Sequence, residues 1–160
     1  MEIELASVAQ AETVTDLWVA LAEEQTQHDS HVLGERNRSS VADELARHAV
    51  TDRLVVATDD GAVVGFVMFT LDRGSYEMDV TQGVVENLYV VPERRDEGIG
   101  GELLDTAERR LGSLGADTVT LEAMADNLAA RRFYRRHGYD SHRVQLEKPL
   151  ETDTHSKEGE

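Results

Sequence analysis

The sequence predicts one α/β domain over residues 1–150, built on a mixed central sheet of about six to seven strands with about four flanking helices. Three observations carry this reading. The chain has 160 residues, the size of a single ordinary domain. Its β-rich runs "RLVVAT", "AVVGFVMFTL" and "GVVENLYVV" are separated from one another and from helical stretches by turn signals. The helical stretches repeat their apolar residues at three- and four-residue steps, as a helix with one buried face requires.

Taken in order, a short strand at Ile3–Ala6 leads into a helix on which Val14, Leu17 and Leu21 recur, with Thr13 or Thr15 as its cap. The stretch "HVLGERNRSS" reads as a loop, and Ser39 or Ser40 can cap the next helix, "VADELARHA". "RLVVAT" and "AVVGFVMFTL" form a hairpin around "DDG". "GVVENLYVV" follows as a strand ended by Pro92. From Ile99, a stripe of Leu103, Leu104, Ala107, Leu111 and Leu114 marks a helix that stops at Gly115. "DTVTLEA" is a strand, "NLAARRFYRRHGY" a helix from Asn127 to Gly138, and "HRVQLEKPL" a last strand. Residues 151–160 have no apolar anchor and are expected to be a disordered acidic tail.

Composition excludes several functions. There is no cysteine, hence no disulfide, thiolate metal site or cysteine nucleophile. His28, Asp29 and His31 lack a third spaced ligand, so no metal site is expected. A net charge of −16 repels nucleic acid and anionic membranes, and the arginines of "RRFYRR" read as a solvated helix face. No long apolar run and no signal-peptide pattern is present, which points to a cytoplasmic protein. Only Lys148 and Lys157 are lysines, while acids are spread throughout. Salt near 1 M would shorten the Debye length to about 3 Å and screen their repulsion. We read this as a halophilic surface.

The stretch "RRDEGIGG" stands where a strand hands over to a helix. Main-chain N–H groups at a helix N-terminus have no partner within the helix, and the peptide dipoles add positive potential there. Gly98, Gly100 and Gly101 would let a diphosphate approach that backbone. The motif lacks the Lys-Ser/Thr of a P-loop and the first glycine of the dinucleotide fingerprint, so ATP and NAD are disfavoured. By itself it is equally a tight turn.

A second motif adds specificity. "VVPERRDEGIG" resembles the R/Q-x-x-G-x-G/A signature of the GNAT superfamily of acetyl-CoA-dependent N-acetyltransferases. "NLAARRFYRRHGY" is similar to that family's second conserved helix, with Asn127, Ala130, Phe133, Tyr134, Gly138 and Tyr139 all matching. The resemblance implies a GNAT-like fold and acetyl-CoA as cofactor. It implies that Leu88, Tyr89 and Val90 contact the pantetheine arm, that Arg95, Asp96, Glu97, Gly98, Ile99, Gly100 and Gly101 cradle the pyrophosphate, and that Asn127 holds the arm from the other side. Trp18, Glu23, Glu24 and His28 would line the acceptor pocket.

Transfer of an acetyl group to an amine needs the free base, and an alkylammonium near pKa 10.4 is neutral about once in 10³ molecules at pH 7. A carboxylate acting through water meets that need. Two candidates stand open: Glu86 on the cofactor strand and Glu122 on the following strand. The resemblance makes Tyr134 the acid for the departing thiolate. With no nucleophile motif, direct attack by the amine in a ternary complex is expected. The acceptor is a small-molecule amine or a protein N-terminus. The resemblance also allows a homodimer, and a non-catalytic acyl-CoA sensor is the alternative function.

Overall fold

The computed structural model describes residues 1–72 and 74–151. Its elements are β1 (Glu2–Leu5), α1 (Val8–Thr26), α2 (Arg38–Val50), β2 (Leu54–Asp59), β3 (Ala62–Leu71), β4 (Gln82–Val90), α3 (Ile99–Ser113), β5 (Thr118–Leu121) and α4 (Leu128–Arg136). Single 3₁₀ turns at Glu35–Asn37 and Pro92–Arg94 precede α2 and follow β4. The strands lie in sequence order, β1-β2-β3-β4-β5. The first four are mutually antiparallel, and β5 joins β4 in parallel after the crossover through α3.

Both faces of the sheet are covered, so β2 and β3 are apolar without alternation. Leu54, Val56, Phe66, Met68 and Tyr89 pack against Ala11, Val14 and Leu21 of α1 and Val41, Leu45 and Ala49 of α2. Val55, Val67, Phe69 and Val85 pack on the other face against Ile99, Leu103, Leu104, Ala107 and Leu111 of α3. The β2–β3 turn places Asp60 and Gly61 at φ 50° and 80°, the left-handed pair of a tight hairpin.

Several expectations need correction. The sheet has five strands, because "HRVQLEKPL" forms no regular element and has no strand partner among the described residues. A run with strand-like alternation is a strand only when another edge takes up its main-chain groups. Helix α1 starts earlier than Thr13 suggests: Ser7 caps it, accepting from Gln10 N–H at 3.1 Å, and Gln10 Oε1 accepts the Ser7 N–H in return. Helix α2 is entered from the 3₁₀ turn through Asn37, and neither Ser39 nor Ser40 caps it. Leu114 lies past the last turn of α3 and is 43 % exposed rather than part of the stripe. The expected disorder at the C-terminus falls on residues 152–160, outside the described residues.

Candidate active site

Strand β4 is paired unequally on its two sides. β3 follows it from Gly83 to Val90, whereas β5 reaches only Gln82–Val85 before ending at Leu121. Along Glu86–Val90 the edge facing away from β3 therefore has no neighbouring strand among the described residues. Such main-chain groups in the middle of a sheet need a partner from elsewhere. One is met inside the chain: the Val90 carbonyl accepts from Arg95 Nε at 2.9 Å. Leu88 and Val90 join the apolar cluster on the α3 face, and Tyr89 the cluster on the α1/α2 face.

The register of β4 against β3 breaks at Glu86. Met68 opposes Asn87 while Phe69 opposes Val85, so Glu86 is the extra residue of a β-bulge. In an unbroken strand Glu86 and Tyr89, an odd number of residues apart, would point to opposite faces. The bulge turns both toward α1 and α2. There, Glu86 Oε1 lies 2.8 Å from His48 Nε2 on α2, and His48 Nδ1 lies 2.9 Å from the Glu44 carbonyl. A carbonyl only accepts, so Nδ1 carries a proton. Below the raised pKa of His48, Nε2 carries a proton as well and donates to the Glu86 carboxylate, and the pair is then an imidazolium facing a carboxylate. Burial by itself would depress the His48 pKa, but the bonds to Glu86 and to the Glu44 carbonyl outweigh it and hold His48 above the ordinary histidine value. The Glu86 side chain is 29 % exposed, so water reaches it.

At the start of α3 the first helical main-chain bond runs from Glu102 N–H to the Gly98 carbonyl, at 3.1 Å. The N–H groups of Gly98, Ile99, Gly100 and Gly101 precede it, and no side chain among the described residues caps them. Asp96 and Gly98 are both left-handed, at φ 64° and 85°, which curls the loop around that helix end. The three glycines differ in purpose. A Cβ on Gly98 would meet nothing within 4 Å, so its side is open to a ligand. A Cβ on Gly100 would stand 3.3 Å from Phe133 Cζ, and one on Gly101 3.0 Å from His137 Nε2. These two are small because α4 packs on the first turn of α3. We therefore expect Gly100→Val to displace Phe133 and cost about 1–3 kcal/mol of overpacking, a fall in Tm of roughly 2–12 °C for a domain of this size. A thermal melt unchanged from that of the parent would refute this.

The Arg95 guanidinium is held in a fork by Glu24, at 3.0 and 2.9 Å from its two carboxylate oxygens, and lies 5.3 Å from the centre of the Tyr89 ring. The Glu24 hydrogen bond is the main reason its proton is held more firmly than usual. Arg95 thus ties the glycine turn to the end of α1. Its neighbour Arg94 binds Asp59 and Glu97 instead, so the Glu97 carboxylate faces an arginine.

Asn127 caps α4, its Oδ1 accepting the Ala130 N–H at 3.2 Å. Tyr134 is half-buried beside the α3-face cluster, 5.2 Å from the Phe133 ring and 6.0 Å from that of Tyr139. Burial pushes its phenol pKa up to about 12. Tyr139 OH donates to Glu108 at 2.6 Å and fixes the end of α4 on α3. Glu122 stands one residue beyond β5, exposed, rather than on the strand as expected. Across the mouth of the splayed region, His28 Nδ1 meets Asp126 at 3.1 Å, joining the end of α1 to the loop before α4.

Where β4 leaves β5 it carries Glu86, Leu88, Tyr89 and Val90; the glycine turn follows that strand, and α4 rests on the first turn of α3 through Phe133 and His137. His48 and the fork between Glu24 and Arg95 were missed as a network. His48 had a readable signal: it lies three residues after Leu45 and seven after Val41, on the inward stripe of α2.

Comparison with known proteins fits this geometry. An uncharacterized N-acetyltransferase of Bacillus subtilis, YhfO, is 32 % identical over 87 residues, covering 54 % of this chain and 58 % of its own. The chain spans about half to three-fifths of the length of the curated relatives it matches. Among solved structures, a mutant of the BH1408 protein of Bacillus halodurans superposes with a TM-score of 0.77 at 20 % identity, covering 94 % of this chain and 99 % of that one. The aminoglycoside N-acetyltransferase AAC(6')-Iy, solved with CoA, superposes with a TM-score of 0.66 at 16 % identity, covering 92 % and 93 %. The family model for the acetyltransferase (GNAT) family matches residues 13–139, which takes in the bulged strand, the glycine turn and α4 together. The chain that carries this splayed strand and glycine turn belongs to the GNAT family of acetyltransferases.

Proposed function

We propose that the chain moves an acetyl group from acetyl-CoA to a primary amine, a small molecule or a protein N-terminus, by direct attack in a ternary complex. The observation that carries this is the edge of β4 over Glu86–Val90, which has no neighbouring strand among the described residues, followed in sequence by the N–H groups of Gly98–Gly101 that no described side chain caps. An amide-bearing arm fits the strand edge, and a diphosphate fits the helix end beside open Gly98. Leu88, Tyr89 and Val90 would hold the arm, and the Arg95–Gly101 turn the diphosphate. Bound acetyl-CoA supplies the thioester that the amine attacks.

The remaining chemistry belongs to the protein. Glu86 takes the ammonium proton through water, its carboxylate held by His48 and aimed by the bulge. Glu122 has no comparable partner among the described residues, which favours Glu86 as the base. Tyr134 would donate to the leaving sulfur from a phenol that stays protonated at neutral pH. The acidic surface suits a cationic acceptor and a salt-rich cytoplasm alike.

Thiol release from acetyl-CoA, followed against a panel of primary amines, tests the reading. We expect release that depends on the amine. Calorimetric binding of CoA without release on any amine would convert the protein into an acyl-CoA sensor, and no binding at all would remove the cofactor with the activity.

A further inference from the structure

The motif "RRFYRR" is a part of the sequence that the chemistry above leaves unused. Helix α4 carries Arg131, Arg132, Arg135 and Arg136 and no acid, in a chain with 32 acidic and 16 basic residues. Elsewhere Arg38, Arg94, Arg95 and Arg109 each meet a carboxylate, whereas the four arginines of α4 meet none among the described residues. Arg131 donates to the Ala125 carbonyl at 2.8 Å, and Arg132, Arg135 and Arg136 are exposed. Like charges four residues apart on a helix repel, and α4 holds two such pairs, Arg131 with Arg135 and Arg132 with Arg136. The helix dipole favours a base in the last turn. It gives no reason for Arg131 and Arg132 in the turn before.

Position separates the two pairs. At 3.6 residues per turn, Arg132 and Arg136 flank one side of Phe133, while Arg135 lies almost opposite it. The Arg136 guanidinium carbon is 6.0 Å from the centre of the Phe133 ring. A Cβ on Gly100 would stand 3.3 Å from Phe133 Cζ, so Phe133 links Arg136 to the first turn of α3. That turn holds the N–H groups assigned above to the diphosphate.

The inference that follows rests on acetyl-CoA as the donor. Coenzyme A carries phosphate twice: the diphosphate, and a phosphomonoester on the 3′ carbon of the adenosine ribose, one sugar ring away. The monoester is close to a dianion at pH 7, and a guanidinium fork matches its oxygens better than an ammonium does. We propose that Arg132 and Arg136 form a subsite for this 3′-phosphate, so that α4 distinguishes coenzyme A from its dephosphorylated form.

Calorimetry on the full chain, with CoA and with dephospho-CoA at low KCl, tests this. We expect CoA to bind at least about 10-fold more tightly, the effect of one hydrogen bond to a charged group, and the gap to narrow in molar KCl as the exposed arginines are screened. Arg132→Gln combined with Arg136→Gln should bring the two affinities together without changing that for dephospho-CoA, and Arg135→Gln should keep the gap. Phosphorus NMR on CoA bound to the unaltered protein gives a readout that needs no variant. The 3′-phosphate should titrate below its usual value of about 6, because neighbouring guanidinium groups favour the dianion. Equal affinities in the parent, a gap that survives in the double variant, or an unshifted titration of bound CoA would overturn the subsite and leave the donor standing. Binding of neither ligand would overturn both.

Discussion

Glu86→Gln should lower kcat by about 10²–10⁴, the contribution of a positioned general base, with little change in KM for acetyl-CoA. The substitution is close to isosteric. The glutamine amide can still donate to His48 Nε2 once that ring is neutral, so the contact between α2 and β4 survives. The loss is then chemical, since an amide takes no proton from the acceptor's ammonium group. The imidazole titration of His48, followed by NMR, separates this from a structural fault. In the parent it should titrate above about 6.5, the unperturbed histidine value, and in the variant it should fall back because its anionic partner is gone. A variant with kcat within a few-fold of the parent would remove Glu86 as the base. A lost activity with an unshifted His48 titration would break the pair instead.

The same pair sets a pH dependence. His48 is raised in the folded chain, so the stability it contributes is fully present below about pH 6.5 and fades as pH rises through the higher folded value. Above that value the neutral ring presents a lone pair to the Glu86 carboxylate and no longer orients it.

The fold was largely legible because its signals are local. Two apolar faces make β2 and β3 continuous hydrophobic runs, and the stripe from Ile99 to Leu111 can only be a helix with one buried side. The left-handed Asp60–Gly61 pair marks the hairpin without reference to anything distant. Of the candidate site, the sequence carries the motifs but not the geometry. No local pattern marks the bulge at Glu86, because a bulge is a relation between two strands and depends on how Met68 and Phe69 meet β4. Nor does the sequence separate the purposes of the glycines, since only the packing of Phe133 and His137 distinguishes Gly100 and Gly101 from Gly98. The last strand failed for the converse reason. Its alternation at Val144 and Leu146 is genuine, but pairing is not a property of the segment alone.

Tyr134→Phe should slow turnover by about 10- to 150-fold while leaving CoA affinity within a few-fold of the parent. Magnitudes decide this figure. A thiol has a pKa near 8.5, whereas burial pushes the Tyr134 phenol up to about 12. Complete transfer of the phenolic proton to the departing thiolate would therefore run uphill by roughly 5 kcal/mol at 1.36 kcal/mol for each pKa unit. In the proposed mechanism Tyr134 would serve better by keeping its proton and donating a hydrogen bond to the sulfur as negative charge gathers there. A hydrogen bond to a charged group contributes about 1.5–3 kcal/mol, and removal of that amount gives the expected range. The phenylalanine ring keeps the contacts with Phe133 and Tyr139, so α4 should stay seated. A leaving-group series offers an independent readout: acyl thioesters of more acidic thiols need less help, and the deficit of the variant should shrink along the series. A deficit that stays constant would mean that Tyr134 acts only by packing α4 against α3. Wild-type turnover in the variant would remove it from the chemistry altogether.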